Sequence, residues 1–281
     1  MNSKRVTLEE KKYDSCFFFF FSFFFFFLYE TIETPVFLLF RTMSVEDIQL
    51  WLACSNGKVV KVRKLLQSSQ IDINWQDSNF LTTPLCVACM KGHIEVVKLL
   101  LNDERVDINK ADIFDQTSFW AACHEGHIEI VKFLLNDERV DVNKASEGGR
   151  TPFLLACYFG RIEIVKLLLN DPRVDLNKAN NDSQTPFYVA CQEGHIDIVE
   201  YLLACGREID FNKINIQTLL DLLKYPPSPT QKFSDESEEQ YPTKSNYRKI
   251  VELIESFNVN PIETRTRLRI QLGFAGNFNS N

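Results

Sequence analysis

The sequence predicts an all-α repeat solenoid, and three regularities carry that reading. Four segments are near-copies: TPLCVACMKGHIEVVKLLLNDERVDIN from Thr83, TSFWAACHEGHIEIVKFLLNDERVDVN from Thr117, TPFLLACYFGRIEIVKLLLNDPRVDLN from Thr151 and TPFYVACQEGHIDIVEYLLACGREIDFN from Thr185. Their Thr, Cys and Gly positions recur 34 residues apart, as in Cys89, Cys123, Cys157 and Cys191 or Gly92, Gly126, Gly160 and Gly194. Within each copy a short apolar run is followed, beyond the Gly, by apolar residues at helical spacing. One such unit leaves an apolar face uncovered. Stacked copies build a continuous core in which each repeat touches only its neighbours.

The copy at Thr83 sets out the unit. Thr83 stands where it caps a helix whose first residue, Pro84, loses nothing by lacking an N–H. Helix A runs to Met90, and Gly92 suits a left-handed turn that ends it. Helix B carries Ile94, Val97, Leu100 and Leu101 on one face, Val96 beside them, and Glu95 and Lys98 on the wet side. From Asp103 to Thr117 helical spacing is lost, which predicts an exposed turn or hairpin anchored by Val106 and Ile108. Upstream, MSVEDIQLWLACSNG from Met43 forms an N-terminal cap repeat, with Cys54 and Gly57 35 residues before their counterparts. The odd residue falls in the turn Gln76–Thr82, where an insertion is cheapest.

Residues 43–213 are thus assigned to the regular repeats and 214–259 to a degenerate last one, giving about five full repeats after the cap. In that last repeat QTLLDLL (Gln217–Leu223) stands for helix A and YRKIVELIESF (Tyr247–Phe257) for helix B. The Pro-, Ser- and acid-rich stretch 225–246 between them is expected to be a disordered insertion. Residues 260–281 are assigned to a C-terminal capping helix and tail: Asn260 caps, Pro261 opens, Leu268 and Leu272 share a face, and Gly273 ends the helix. Arg265, Arg267 and Arg269 on that helix offer a phosphate site as the competing reading.

TPLxxAxxxGHxxVVxxLL followed by VDxN resembles the ankyrin repeat, whose period is about 33 and whose pattern is T-P-L-H-x-A. The likeness covers roughly residues 44–213 and is specific because four spaced features recur together. The chain departs from the pattern in its 34-residue period, with the extra residue in the loop Asn102–Arg105 and its copies. It also carries Cys86, Trp120, Leu154 and Tyr188 where the pattern has His, which bears on one helix-A hydrogen bond and leaves the fold as it is. The resemblance implies a non-enzymatic scaffold or adaptor that holds a protein partner on the concave surface, by the turn tips and the exposed side of helix A. Carried over by register, the tip residues are Phe80, Ile113, Phe114, Arg150 and Asn181. The helix-A positions are Met90 and Lys91, His124 and Glu125, Tyr158 and Phe159, and Gln192 and Glu193. Here the copies disagree with one another, whereas the packing positions agree. Phe114, Tyr158 and Phe159 are the large apolar side chains expected to face solvent, and Trp120 is expected in the core.

The composition narrows the chemistry. A net charge of −7, from 31 basic and 38 acidic residues, argues against a general nucleic-acid binder. With only 10 glycines and neither GxGxxG nor GxxxxGK[ST], a phosphate cradle is not expected. The eight cysteines (Cys16, Cys54, Cys86, Cys89, Cys123, Cys157, Cys191 and Cys205) fall largely at repeat positions, which suits reduced thiols in a cytoplasmic protein, or a nuclear one. Cys86-Val-Ala-Cys89 is a lone CxxC: zinc needs a second pair, and redox use needs an exposed acidic thiolate. A thiol/redox protein using that pair is the remote alternative. His93, His127 and His195 recur after the Gly, with Arg161 in the third place, which fits a helix-terminal hydrogen bond rather than catalysis. Lys110, Lys144 and Lys178, and the acidic Asp103, Glu104, Asp137, Glu138 and Asp171, are expected to form solvated charge rows. No enzyme, cofactor, metal site or small-molecule substrate is expected; the partner is a protein whose identity the sequence leaves open.

Residues 1–42 stand apart. CFFFFFSFFFFFLY (16–29) follows Lys4, Arg5, Lys11 and Lys12, as a signal anchor does, yet it falls short of the span of ~18 residues that crosses a bilayer. Two readings are open. One is a mis-set start, with Met43 opening the native chain; the other is a hydrophobic anchor over 16–40 that tethers the scaffold to a membrane.

Overall fold

The computed structural model describes residues 44–211, 216–224 and 243–274. The Phe-rich segment, the loop assigned to the insertion up to residue 242, and the extreme C-terminus lie outside the described residues. From Ser44 onward the chain is one compact unit. Among the described residues it has thirteen helices and no strand. Helix A of successive repeats is α1 (Val45–Ser55), α3 (Pro84–Met90), α5 (Ser118–Glu125), α7 (Pro152–Tyr158), α9 (Pro186–Gln192) and α11 (Ile216–Lys224). Helix B is α2 (Val59–Leu65), α4 (Ile94–Leu101), α6 (Ile128–Leu135), α8 (Ile162–Leu169), α10 (Ile196–Ala204) and α12 (Lys244–Val259). Each helix packs on the equivalent helix before and after it and on its own partner, and α13 (Pro261–Gln271) lies across α10 and α12. This is the all-α repeat solenoid: a cap repeat, five full repeats and a closing helix.

The local chemistry explains the regularity. The hydroxyls of Thr83, Thr117, Thr151 and Thr185 accept hydrogen bonds from the backbone N–H three residues on, at 3.0–3.2 Å. Helix A is buried almost all round, because it is covered on both sides by its copies. Helix B buries one stripe: Val96, Val97 and Leu100 are fully buried, while Glu95 and Lys98 pair at 2.7 Å in solvent. The cap repeat shows what the end of a stack demands. At the position of Val96, Ile130, Ile164 and Ile198 it carries Lys61, which is exposed because no earlier repeat covers it.

Three ladders then tie repeat to repeat. The first starts at the left-handed glycines. His93, His127 and His195 each donate Nε2–H to a carbonyl at the end of the preceding helix A, those of Ser55, Met90 and Tyr158, at 3.0–3.1 Å. The acceptor is a carbonyl, so the proton sits on Nε2 and the ring is not available as a base there. The second ladder is Asn74, Asn109, Asn143 and Asn177. Each donates its amide to a carbonyl of the next loop and accepts from a backbone N–H there, as when Asn143 joins Arg173 O at 2.6 Å and Asp175 N at 2.8 Å.

The third ladder corrects the reading of a solvated acidic row. Asp103, Asp137 and Asp171 each grip the Arg two residues on, at 2.6–2.7 Å. The held guanidinium reaches the C-terminal carbonyls of the preceding helix B: Arg105 those of Leu66 and Ser68, Arg139 that of Leu101, Arg173 those of Leu135 and Asp137. Glu104 and Glu138 do stay exposed. Lys110, half-buried, leaves the solvated row by donating to the carbonyl of Asn74; Lys178 donates to that of Asn143 but stays exposed, as expected.

The His missing from the fourth helix-A position is replaced in two copies by an indole. Trp120 donates Nε1–H to Arg150 O at 2.9 Å, and Trp51, in the equivalent place of the cap repeat, donates to Thr82 O at 3.1 Å. At the far end Asn260 accepts from Glu263 N at 3.2 Å, capping α13 as expected, and Leu268 is fully buried. Arg265 donates to Leu203 O at 3.2 Å and lies 5.7 Å from the Phe257 ring centre, which ties α13 to the end of the stack.

Among the described residues two buried side-chain atoms lack a hydrogen-bond partner, Ser118 Oγ and Arg161 Nε. Both stand where a copy departs from its siblings, Ser118 for Pro and Arg161 for His. Ser118→Pro removes a buried orphan hydroxyl at a position that needs no N–H, and Arg161→His supplies the missing rung to the end of α5. Each is expected to raise stability by about 1 kcal/mol. The midpoint of urea unfolding measures it, and a fall for either variant would reject the sibling-register argument at that position.

Candidate functional site

The turn tips are themselves a ladder. Ile113 N–H donates to Phe80 O at 3.0 Å, Glu147 to Phe114 O at 2.8 Å, and Asn181 to Gly148 O at 3.1 Å. This joins the tips of neighbouring repeats into one edge. The tightest point of each tip is left-handed at Leu81, Asp115, Gly149 and Ser183, again 34 residues apart. At Gly149 a side chain is barred twice over, by φ of +73° and by Asn181, whose Oδ1 would lie 2.5 Å from a Cβ.

Of the residues singled out from sequence, Ile113, Phe114, Arg150, Tyr158, Phe159 and Asn181 are exposed, and Phe80, Met90, His124 and Gln192 are half-buried. Ile113 and Phe114 remain 44% and 41% exposed at the tip edge, and Tyr158 and Phe159 43% and 37% at the end of α7. For apolar side chains of this size that is a large uncovered area in a row. Asn181 is partly committed, donating its amide to Glu147 O at 2.9 Å, and Gln192 accepts from Gln184 at 3.1 Å.

Four of the aromatic groups come together. The rings of Trp120 and His124 stack at 5.2 Å and 8°; His124 meets Phe159 edge-on at 4.9 Å; Phe159 meets Tyr158 edge-on at 4.9 Å. The result is a continuous ledge across α5 and α7 that is buried at Trp120 and exposed at Tyr158 and Phe159. Edge-on and stacked pairs of this kind hold one another's rotamers, so the exposed rings are presented rather than free to swing. His124 Nδ1 also pairs with Glu125 Oε1 at 2.9 Å, and that bond holds the Glu125 carboxyl below its ordinary range. Trp120 is core, as its sequence position predicts, and in addition forms the floor of the ledge. Leu81, 41% exposed on the tip edge, was missed by the sequence reading because it holds the left-handed tip position of Asp115, Gly149 and Ser183, where a large apolar side chain is not expected.

The cysteines offer no comparable site. Among the described residues they are free thiols, and Cys86 and Cys89 are 2% and 0% exposed within α3. Burial pushes both thiols up, and it pushes Cys54 up to about 12. The redox alternative requires the opposite, an accessible thiolate of lowered pKa. No group of His, Cys, Asp and Glu suited to a metal ion occurs among the described residues.

No curated protein matches the chain. A family model described as ankyrin repeats in three copies matches residues 50–146 and 119–215, together more than half of the sequence. The matched span contains the Thr caps, the left-handed glycines and the His rungs that build the stack. On the match and the geometry together, the chain belongs to the ankyrin-repeat family.

Proposed function

We propose that this chain is a non-enzymatic scaffold or adaptor that holds a partner protein on its concave side, against the turn tips and the C-terminal ends of helix A. The observation that carries the reading is the aromatic ledge of Trp120, His124, Phe159 and Tyr158, exposed at its outer end. Ankyrin repeats are generally protein–protein interaction modules, and a few well-held aromatic residues supply most of the energy of such interfaces. The ladders occupy the polar groups that recur in every copy, which leaves the variable positions for recognition. The buried free thiols favour a reducing compartment, the cytosol or nucleus. The net acidity disfavours nucleic acid as the partner. A membrane tether would depend on residues 16–40, outside the described residues; among those described, no helix is long and apolar enough to cross a membrane.

The test is affinity capture from native lysate by the full chain, beside a Phe114→Ala, Tyr158→Ala and Phe159→Ala triple variant matched to it in helical circular dichroism. A partner held by the parent is expected to be lost by at least about tenfold in the variant, since each anchor contributes on the order of 1 kcal/mol or more. Equal capture by both removes the aromatic surface from the reading. Capture of nothing by the parent counts against the scaffold role itself.

A further inference from the structure

Lys91, Glu125, Phe159 and Glu193 occupy one register position in four successive repeats, at the C-terminal ends of α3, α5, α7 and α9. Neighbouring A helices pack directly on one another, so equivalent positions lie about 8–10 Å apart. Phe159 therefore stands between two carboxylates. They are not alike. Glu125 is engaged by His124 at 2.9 Å. The side chain of Glu193 makes no ion pair or hydrogen bond among the described residues, although it is half-buried. Burial raises its carboxyl above the ordinary range, and among the described residues no ion pair offsets the effect. The group packed nearby from α12 is the phenol of Tyr247, whose hydroxyl donates to Gln192 O at 3.2 Å and is itself pushed up by burial and by Glu193. A half-buried acid beside exposed aromatic rings, unpaired among the described residues, is suited to a positive charge.

Resting on the scaffold reading, we infer that the ledge takes a protein segment carrying an apolar anchor and a basic residue about 10 Å apart, the anchor on Tyr158 and Phe159 and the cation on Glu193. A segment in the polyproline-II conformation meets that distance with positions i and i+3, two residues between them, because three residues per turn at about 3.1 Å each put both side chains on one side about 9 Å apart. The cation is held where solvent is partly excluded, so it discriminates between partners more than a rim charge does. An acidic segment is rejected by Glu125 and Glu193 together.

The experiment is panning of a displayed random-peptide library on the immobilised full chain, followed by fluorescence anisotropy of the enriched peptides. The parent is expected to enrich peptides that pair a large apolar residue with Lys or Arg. Phe159→Ala is expected to weaken them about thirtyfold and Glu193→Gln about tenfold. Replacing the peptide's basic residue by Gln should weaken binding to the parent but leave Glu193→Gln unaffected, the signature of a direct pair. Glu193→Lys should invert the preference toward acidic peptides. Both variants change half-buried or exposed side chains, and their circular dichroism and unfolding midpoints are matched to the parent first. Enriched peptides that lack a basic residue, or that ignore Glu193→Gln, overturn the pairing while leaving the scaffold reading intact. Peptides that survive Phe159→Ala overturn the ledge as the site. Absence of any enrichment overturns recognition of a short segment, and the lysate capture then decides the scaffold role separately.

Discussion

Gly160→Ala is expected to destabilise the chain by about 3 kcal/mol through two separable routes. The first is conformational. Gly160 sits at φ of +67°, where an L side chain costs about 1–2 kcal/mol. The second is steric. A Cβ there would stand 2.6 Å from Cε1 and 2.8 Å from Nδ1 of His195, so the ring must move. Its hydrogen bond to Tyr158 O, 3.0 Å long, is then lost, at about 1 kcal/mol. A double-mutant cycle with His195→Ala separates the two. In the His195→Ala background Gly160→Ala should cost only the conformational part, leaving a coupling of about 1 kcal/mol in urea unfolding. Zero coupling would mean that the His rung bears none of the load between these repeats. The rung also fixes the carbonyl directly beneath the ledge, so the same substitution is expected to weaken ligands of Tyr158 and Phe159 even at temperatures where the fold survives.

The parts of this structure legible in the sequence are those written in local patterns. Helix A at Pro84–Met90 and helix B at Ile94–Leu101 end where the Thr, Pro and Gly signals place them, because caps and left-handed turns are decided within a few residues. α12 begins at Lys244, three residues before the apolar pattern that betrays it, since its first turn is polar and follows the extended Thr243. The Asp–Arg clamps were not legible from local pattern, for their acceptors lie more than 30 residues back, as from Arg105 to Leu66. A signal did exist. Arg105, Arg139, Arg173 and Arg207 never vary, whereas the residue just before them is Glu, Glu, Pro and Gly. A solvated charge drifts between copies; one held to a neighbour's carbonyls does not. The candidate binding positions were legible for the converse reason, their variation among copies. Their assembly into a ledge was not, because the contact of His124 with Phe159 crosses from one repeat to the next.

The same clamps set the acid limit of the fold. In Asp103, Asp137 and Asp171 the hydrogen bond from the Arg side chain holds the carboxyl below its ordinary value, against a smaller opposing effect of burial. A carboxyl with a depressed folded pKa binds fewer protons folded than unfolded. Its contribution is therefore fully present above the unfolded value, about 3.9, and is lost as pH falls through the folded one. Asp→Asn at all three positions keeps an oxygen for the backbone N–H of the turn, and removes the charge together with the second oxygen, which accepts from the Arg Nη2–H. Because each Arg is a third or more exposed, solvent screening reduces every clamp to about 1 kcal/mol, so the triple variant should lose about 3 kcal/mol at pH 7. Between pH 5 and 2.5 the parent's stability should fall more steeply than the variant's, and the two urea-unfolding curves should converge in acid, where the parent's carboxyls are protonated too. Curves that stay parallel would mean that the charge contributes nothing and that the clamps are packing alone. Convergence would show that the row of acids along the loops acts through the arginines on the helix ends of the preceding repeat.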